Sequence, residues 1–180
     1  EAEVSIALLR ALDTACEEQV AAHKIRVNKE EGIDERPSVG IICTYGDQAG
    51  LIKRKRKSKK FSGFSEKQDE KLIISTVDDF QGDERDIIIV SMVRNPAPGK
   101  RYDAEFIKKF ERINVAFSRA RKLLIILGSR KFLSEAGIID LPDLSGNKAL
   151  DKKNFPVFHE IIQTIDFCGR VLRASDILGE

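Results

Sequence analysis

Ser75-Thr76-Val77-Asp78-Asp79-Phe80-Gln81-Gly82-Asp83-Glu84-Arg85-Asp86, with Leu72-Ile73-Ile74 before it and Ile87-Ile88-Ile89-Val90 after it, sets a dense polar cluster between two short apolar runs. Apolar runs of four to eight residues rich in β-branched side chains and bounded by polar punctuation read as buried strands, here residues 72–77 and 86–93. The cluster holds more charge than a connecting turn requires. Gly82 offers a backbone conformation or a close approach that other residues would block. As a plain turn the segment needs only that glycine; as a site it would set backbone amides and the Glu84 carboxylate around a ribose or a phosphate. Spacing alone leaves both readings open.

The pattern repeats on either side. Residues 38–44, Ser-Val-Gly-Ile-Ile-Cys-Thr, form another strand-like run, and Leu123-Leu124-Ile125-Ile126-Leu127 a fourth. Helical spacing of Val4, Leu8, Leu12, Ala15 and Cys16 predicts an amphipathic helix over residues 4–22. A second helix is expected to start at Gly46 and Asp47 with Leu51 and Ile52 inward; residues 106–122 and 155–167 also read as helical. Residues 28–37 read as a loop, residues 95–99 as a break, and 169–180 are ambiguous. Strands apolar on both faces and separated by helices predict a three-layer α/β domain, a mostly parallel sheet with helices on both faces. Such sheets bind ligands outside the carboxyl ends of their strands, where residues 44–48 and 77–84 are expected. Residues 1–135 are expected to form this unit, with 136–180 a helical extension of it.

Length and composition agree with one domain: 180 residues, 42% of them hydrophobic. The apolar runs fall far short of the roughly 18 residues a membrane helix needs, so no membrane partner is expected. The chain opens on Glu1, without the basic region and apolar core of a signal peptide, which suggests a piece of a longer protein. Cys16, Cys43 and Cys168 are odd in number and widely spaced, fitting buried thiols in the cytoplasm rather than a disulfide or zinc framework. His23 and His159 have no partner at metal-ligand spacing, and no metal site is expected. Net charge is only +2, but it is segregated: Lys53-Arg54-Lys55-Arg56-Lys57-Ser58-Lys59-Lys60 is basic, and residues 30–35 are acidic. The basic tract reads either as a solvated helix face or as a phosphate-binding patch with few aromatic residues beside it.

Beyond the cluster stands Arg112-Ile113-Asn114-Val115-Ala116-Phe117-Ser118-Arg119-Ala120-Arg121. Arg119 and Arg121 are expected on a helix ending just before a strand, with Arg112 on roughly the face of Arg119. A lone helical arginine is usually solvated or ion-paired. A guanidinium is also a permanent, planar fork of donors suited to charge spreading on a transferring phosphoryl group, a role that contributes about 10³ to 10⁵ in rate.

Residues 76–86 and 114–121 together resemble motifs V and VI of superfamily 1 helicases, in the group of the nonsense-mediated decay helicase and the Okazaki-fragment nuclease-helicase. The patterns are Ser/Thr-Val-Asp-x-Phe-Gln-Gly-x-Glu-x-Asp and Asn-Val-Ala-x-Ser/Thr-Arg-Ala-Arg/Lys. Residues 39–48 are similar to the family's Gly-Ile-Ile-Thr-Pro-Tyr-x-x-Gln, with Cys43-Thr44 in place of Thr-Pro. The resemblance covers roughly residues 38–130 and implies the second RecA-like domain of an ATP-driven motor, a P-loop NTPase-like fold. It implies Arg119 as arginine finger, with Arg121 the second candidate, Glu84 at the ribose of ATP and Gly82 lining the nucleotide cleft. It further implies Thr76, Val77 and Gln81 near a bound single strand, and Thr44, Tyr45 and Gln48 facing its backbone; Lys53 and Arg54 of the basic tract are added candidates for that strand. No Gly-x-x-x-x-Gly-Lys-Ser/Thr and no magnesium-binding Asp-Glu occur in the chain. ATP and Mg²⁺ would thus be held largely by a partner, the N-terminal RecA-like domain, and the isolated chain is expected to be inert as an ATPase. Two alternatives remain. One is a nucleic-acid-binding module without motor activity; the other is a metal-dependent nuclease built on Asp143, Asp151 and Lys153.

Overall fold

The computed structural model describes residues 1–28, 30–64, 71–92, 109–135 and 157–179. Four parallel strands make the central sheet: β3 (Val39–Cys43), β4 (Leu72–Thr76), β5 (Arg85–Ser91) and β6 (Ala120–Leu127), in the order β4-β3-β5-β6. Register runs Val39 to Leu72 on one side of β3 and Val39 to Ile87 on the other. Strand side chains alternate between faces, and the two cores show it. Val39, Ile41, Cys43, Leu72, Ile74, Ile87 and Ile89 point into one, Ile42, Ile88 and Val90 into the other. Burial on both sides is what made these strands continuous apolar runs.

The first face is covered by α1 (Ala2–Ala21) and α2 (Gly46–Lys57). The opposite face is covered by α3 (Phe110–Ser118) and α5 (Val157–Cys168), which meet through Phe117 and Phe158, rings edge to face at 6.4 Å. The short α4 (Arg130–Glu135) is tied to α5 by Arg130, whose guanidinium donates to both Asp166 carboxylate oxygens at 2.7 and 2.5 Å. The short α6 (Ala174–Leu178) lies in the segment whose sequence was ambiguous and packs by α1. Phe158 is 1% exposed, so α5 completes a core layer.

The route from β4 to β5 decides where the site lies. Parallel strands of one sheet, as β4 and β5 are on either side of β3, normally need a crossover of a dozen or more residues. Here residues 77–84 return from the carboxyl end of β4 to the amino end of β5, across the face opposite α2. Phe80 closes one helical turn, its amide donating to Thr76 and Val77 carbonyls at 3.1 and 3.2 Å, and its ring is fully buried over β3. Gly40 makes room: a Cβ there would stand 2.6 Å from both Phe80 and Ile88 side-chain atoms.

The structure corrects several expectations. The helix read over residues 106–122 ends at Ser118, and β6 starts at Ala120 rather than Leu123. Pairing with β5 captures those residues, Ala120 standing opposite Arg85 and the Arg85 amide donating to the Arg119 carbonyl at 3.1 Å. Arg119 is therefore the residue that caps α3, and Arg121 belongs to a strand. On α1, Val4 and Cys16 are buried and Leu8 and Leu12 pack against the core as expected, but Ala15 is exposed, and Ile6, Leu9 and Asp13 are buried as well. Residues 28–37 are not simply a loop: β1 (Val27–Asn28) and β2 (Ile33–Asp34) pair antiparallel around Gly32 at φ +69°. Cys16 and Cys43 are buried as expected, but Cys168 is exposed. Among the described residues, no helix is long and apolar enough to cross a membrane.

Candidate functional site

The expected ligand-binding residues separate to opposite ends of the sheet. Because residues 77–84 cross the sheet, Gly82 and Glu84 finish at its amino edge, not beyond its carboxyl ends. There β5 and β6 begin side by side, so residues far apart in sequence converge. Gly82 is exposed at φ +94° with nothing within 4 Å of where a Cβ would stand, so the glycine is there for its backbone and leaves its surface open. Glu84 accepts from Arg121 Nε at 3.3 Å, both side chains more than half exposed. Arg119 is half-buried; its Nε donates to the Val115 carbonyl at 3.3 Å, and its terminal nitrogens have no partner among the described residues. Among the described residues, the fork is steered by its own helix and left free at its tip.

Two neighbouring contacts escaped the sequence reading. Asp86 Oδ2 accepts from the Ser38 amide and hydroxyl, each at 2.9 Å, while Lys122 Nζ stands 3.0 Å from Oδ1. Burial opposes the charge on Asp86, but the Ser38 amide, Lys122 and the Ser38 hydroxyl outweigh it and hold the carboxyl down at about 2. Arg112 forms a two-pronged pair with Asp78, at 3.2 and 3.1 Å, stapling α3 to the crossing segment. Both pairs join residues more than thirty positions apart, which no local pattern reveals.

At the carboxyl edge the candidates are bonded inward. Thr44 is 3% exposed and its hydroxyl donates to the Met92 carbonyl at 3.3 Å. Its direct contact with a strand backbone is not what this placement offers; it shapes the edge instead. Gln48 Nε2 donates to Ser91 Oγ at 3.4 Å, and that hydroxyl donates to Glu1 at 2.8 Å. Thr76 Oγ1 donates to Asp79 at 2.7 Å and accepts from the Asp79 amide at 3.3 Å, an arrangement that starts the crossing turn. Val77 is buried, whereas Tyr45 is half-buried and Gln81 exposed. Burial, with the Glu1 carboxylate adding to it, pushes the Cys43 thiol up to about 12, so it is chemically quiet.

Lys53 and Arg54 lie exposed on α2, which packs on the face of β3 and β4. The segment holding Asp143, Asp151 and Lys153 lies outside the described residues.

A family model described as "AAA domain" matches residues 1–131. The chain is 36% identical over 110 residues to the DNA replication ATP-dependent helicase/nuclease dna2 of Schizosaccharomyces pombe, covering 61% of this chain and 7% of that protein. It is 30% identical over 131 residues to the helicase/nuclease JHS1 of Arabidopsis thaliana, covering 73% of this chain and 9% of that one. With Helicase SEN1 of Saccharomyces cerevisiae it shares 35% identity over 104 residues, 58% of this chain and 4% of the relative. The chain thus spans less than a tenth of the length of these relatives.

Proposed function

The chain belongs to the AAA domain family, as a RecA-like C-terminal domain of superfamily 1 helicases in the group of the nonsense-mediated decay and Okazaki-fragment helicases, and from that premise we propose that it forms one wall of an ATP cleft. The observation that carries this reading is Arg119: a guanidinium tethered through Nε with its terminal nitrogens unpartnered among the described residues, one residue from the start of β6 and beside the Glu84–Arg121 pair.

The donor set at the amino edge fits a nucleotide. Arg119 offers a free fork to a polyphosphate, Arg121 a second cation in an exposed pair, Glu84 a carboxylate for ribose hydroxyls, and Gly82 an open backbone surface. Exposed pairs such as Glu84–Arg121 are worth only about 0–1 kcal/mol, so either partner can turn to a ligand at little cost. ATP with Mg²⁺, bound between this domain and its N-terminal RecA-like counterpart, would supply the transferable phosphoryl group. Arg119 then stabilises charge on that group, which is the electrostatic share of the chemistry. The carboxyl edge, with Tyr45, Gln48, Gln81 and Thr76 around the buried Thr44 and Val77, serves as the surface along which single-stranded DNA or RNA lies. Residues 77–84 run from that surface to the cleft, so one short segment couples strand and nucleotide. With two buried, unbridged thiols, a reducing compartment suits it.

The test is Arg119→Ala in the full-length protein. Hydrolysis is expected to fall at least about a hundredfold with nucleotide and strand binding retained. Turnover near wild type would sink the assignment, and loss in Arg121→Ala alone would move the role to Arg121.

A further inference from the structure

One strongly charged surface takes no part in either set. α2 carries Lys53, Arg54, Lys55, Arg56 and Lys57, and Lys59 and Lys60 follow it. Lys55 pairs with Glu3, but the side chains of Lys53, Arg54, Lys59 and Lys60 make no hydrogen bond or ion pair among the described residues. Cations in the last turn suit the helix dipole; beyond that turn, like charges three and four residues apart cost about 0.2–0.5 kcal/mol per pair.

Despite that repulsion, the segment is anchored rather than left to solvent. Asp13, drawn into the buried face of α1, accepts from the Ser62 and Gly63 amides at 2.8 and 2.7 Å. Arg56 donates to the Phe64 carbonyl from Nε and Nη2, at 3.3 and 2.9 Å, and the Phe64 ring is fully buried. Gly63 fits against the clamp with no room for a side chain: a Cβ would lie 2.8 Å from Arg36 Nη1 and 3.1 Å from Asp13 Oδ1. The anchored turn frames a cleft of about 520 Å³ lined in part by Arg56, Lys57, Lys59, Lys60 and Phe61. A run of charge that serves only solubility needs no fixed shape.

We infer that this cleft and the exposed face of α2 bind the phosphate backbone of duplex nucleic acid, at a place distinct from the single-strand surface. The inference rests on the nucleic-acid reading above. The separation follows from the helix: α2 leaves the carboxyl edge at Gly46, and at 1.5 Å per residue its last turn lies about 12 to 17 Å further on. The preference for a duplex follows from the rings. Single-strand sites stack bases on aromatic side chains, whereas here Phe64 is buried and Phe61 packs partly into the core. What remains is cationic and sequence-blind, and duplex DNA presents one negative charge per about 1.7 Å of axis.

The experiment measures anisotropy of a labelled short blunt duplex and of a single strand of the same length, titrated with the 180-residue chain over a range of salt. Combining Lys53→Gln, Arg54→Gln, Lys59→Gln and Lys60→Gln is expected to raise Kd for the duplex by at least about tenfold. The same variant should flatten its log–log salt slope by about 3 to 4, at about 0.9 per phosphate contact. Single-strand binding should change much less. The charge-keeping set Lys53→Arg, Lys59→Arg and Lys60→Arg should bind the duplex as wild type does. An unchanged slope in the glutamine variant overturns the inference, as does equal loss on single strand and duplex. Displacement by polyglutamate as effective as by duplex also overturns it, in favour of an acidic protein partner. A wild-type chain that ignores duplex overturns the cleft while the finger stands, because that role is read from hydrolysis.

Discussion

The two edges of the sheet are lined with polar residues and use them in opposite ways. At the carboxyl edge, Thr44, Gln48, Ser91 and Thr76 bond to one another's neighbourhood: to the Met92 carbonyl, to Ser91, to Glu1 and to Asp79. These hydroxyls and amides set the shape of a surface. At the amino edge, Glu84 and Arg121 meet at 3.3 Å in solvent, and among the described residues Arg119 bonds only to its own helix. Buried hydrogen bonds are costly to break, whereas exposed ion pairs exchange partners cheaply. One edge is built to keep its form and the other to accept charge. Asp86, locked by Ser38 and Lys122, gives the amino edge a fixed point.

The strongest way to break the contrast is to disturb the segment that joins the edges. Gly40→Val forces methyl groups toward Phe80 and Ile88 and should cost about 1–3 kcal/mol or more, read as a lower urea midpoint. A midpoint equal to wild type would mean that residues 77–84 do not press on β3. Next comes the fixed point itself. The Asp86 pKa lies below its unfolded value of about 3.9, so its stabilisation is present above that pH and is lost as pH falls toward about 2. Asp86→Asn should therefore lose about 1–2 kcal/mol at neutral pH and show a shallower loss of stability between pH ~4 and ~2 than wild type. Identical acid profiles for the two proteins would assign that loss elsewhere. The smallest effect sharpens the contrast most directly. Thr44→Val removes a buried donor without changing shape and should cost about 0.5–1.5 kcal/mol, whereas Arg121→Gln should stay within about 0.5 kcal/mol. The reverse ranking would show that the amino-edge pair is structural.

Much of this was legible in the residues. Residues 38–44, 72–77 and 86–93 read as strands because both faces of each are buried, which leaves an unbroken apolar run. The placement of β6 was not legible, because Ala120, Arg121 and Lys122 look like the end of a helix until pairing with β5 claims them. The burial of Asp13 on α1 was not legible for a related reason: it is polar by sequence and buried because the Ser62 and Gly63 amides satisfy it. The exposure of Cys168 likewise depends on which side of α5 faces the core.

The sequence alone determined the four strands of the central sheet and the main helices in outline, the parallel three-layer architecture and the two motifs that mark the family, because periodicity, glycine and motif spacing are local or nearly so. Tertiary structure decided the rest. It carried residues 77–84 across the sheet by way of Gly40 and Phe80, sent Gly82 and Glu84 to the amino edge beside Arg119 and Arg121, and turned Thr44 inward. Those outcomes depend on contacts between residues more than thirty positions apart, whose free energy exists only once the strands have paired.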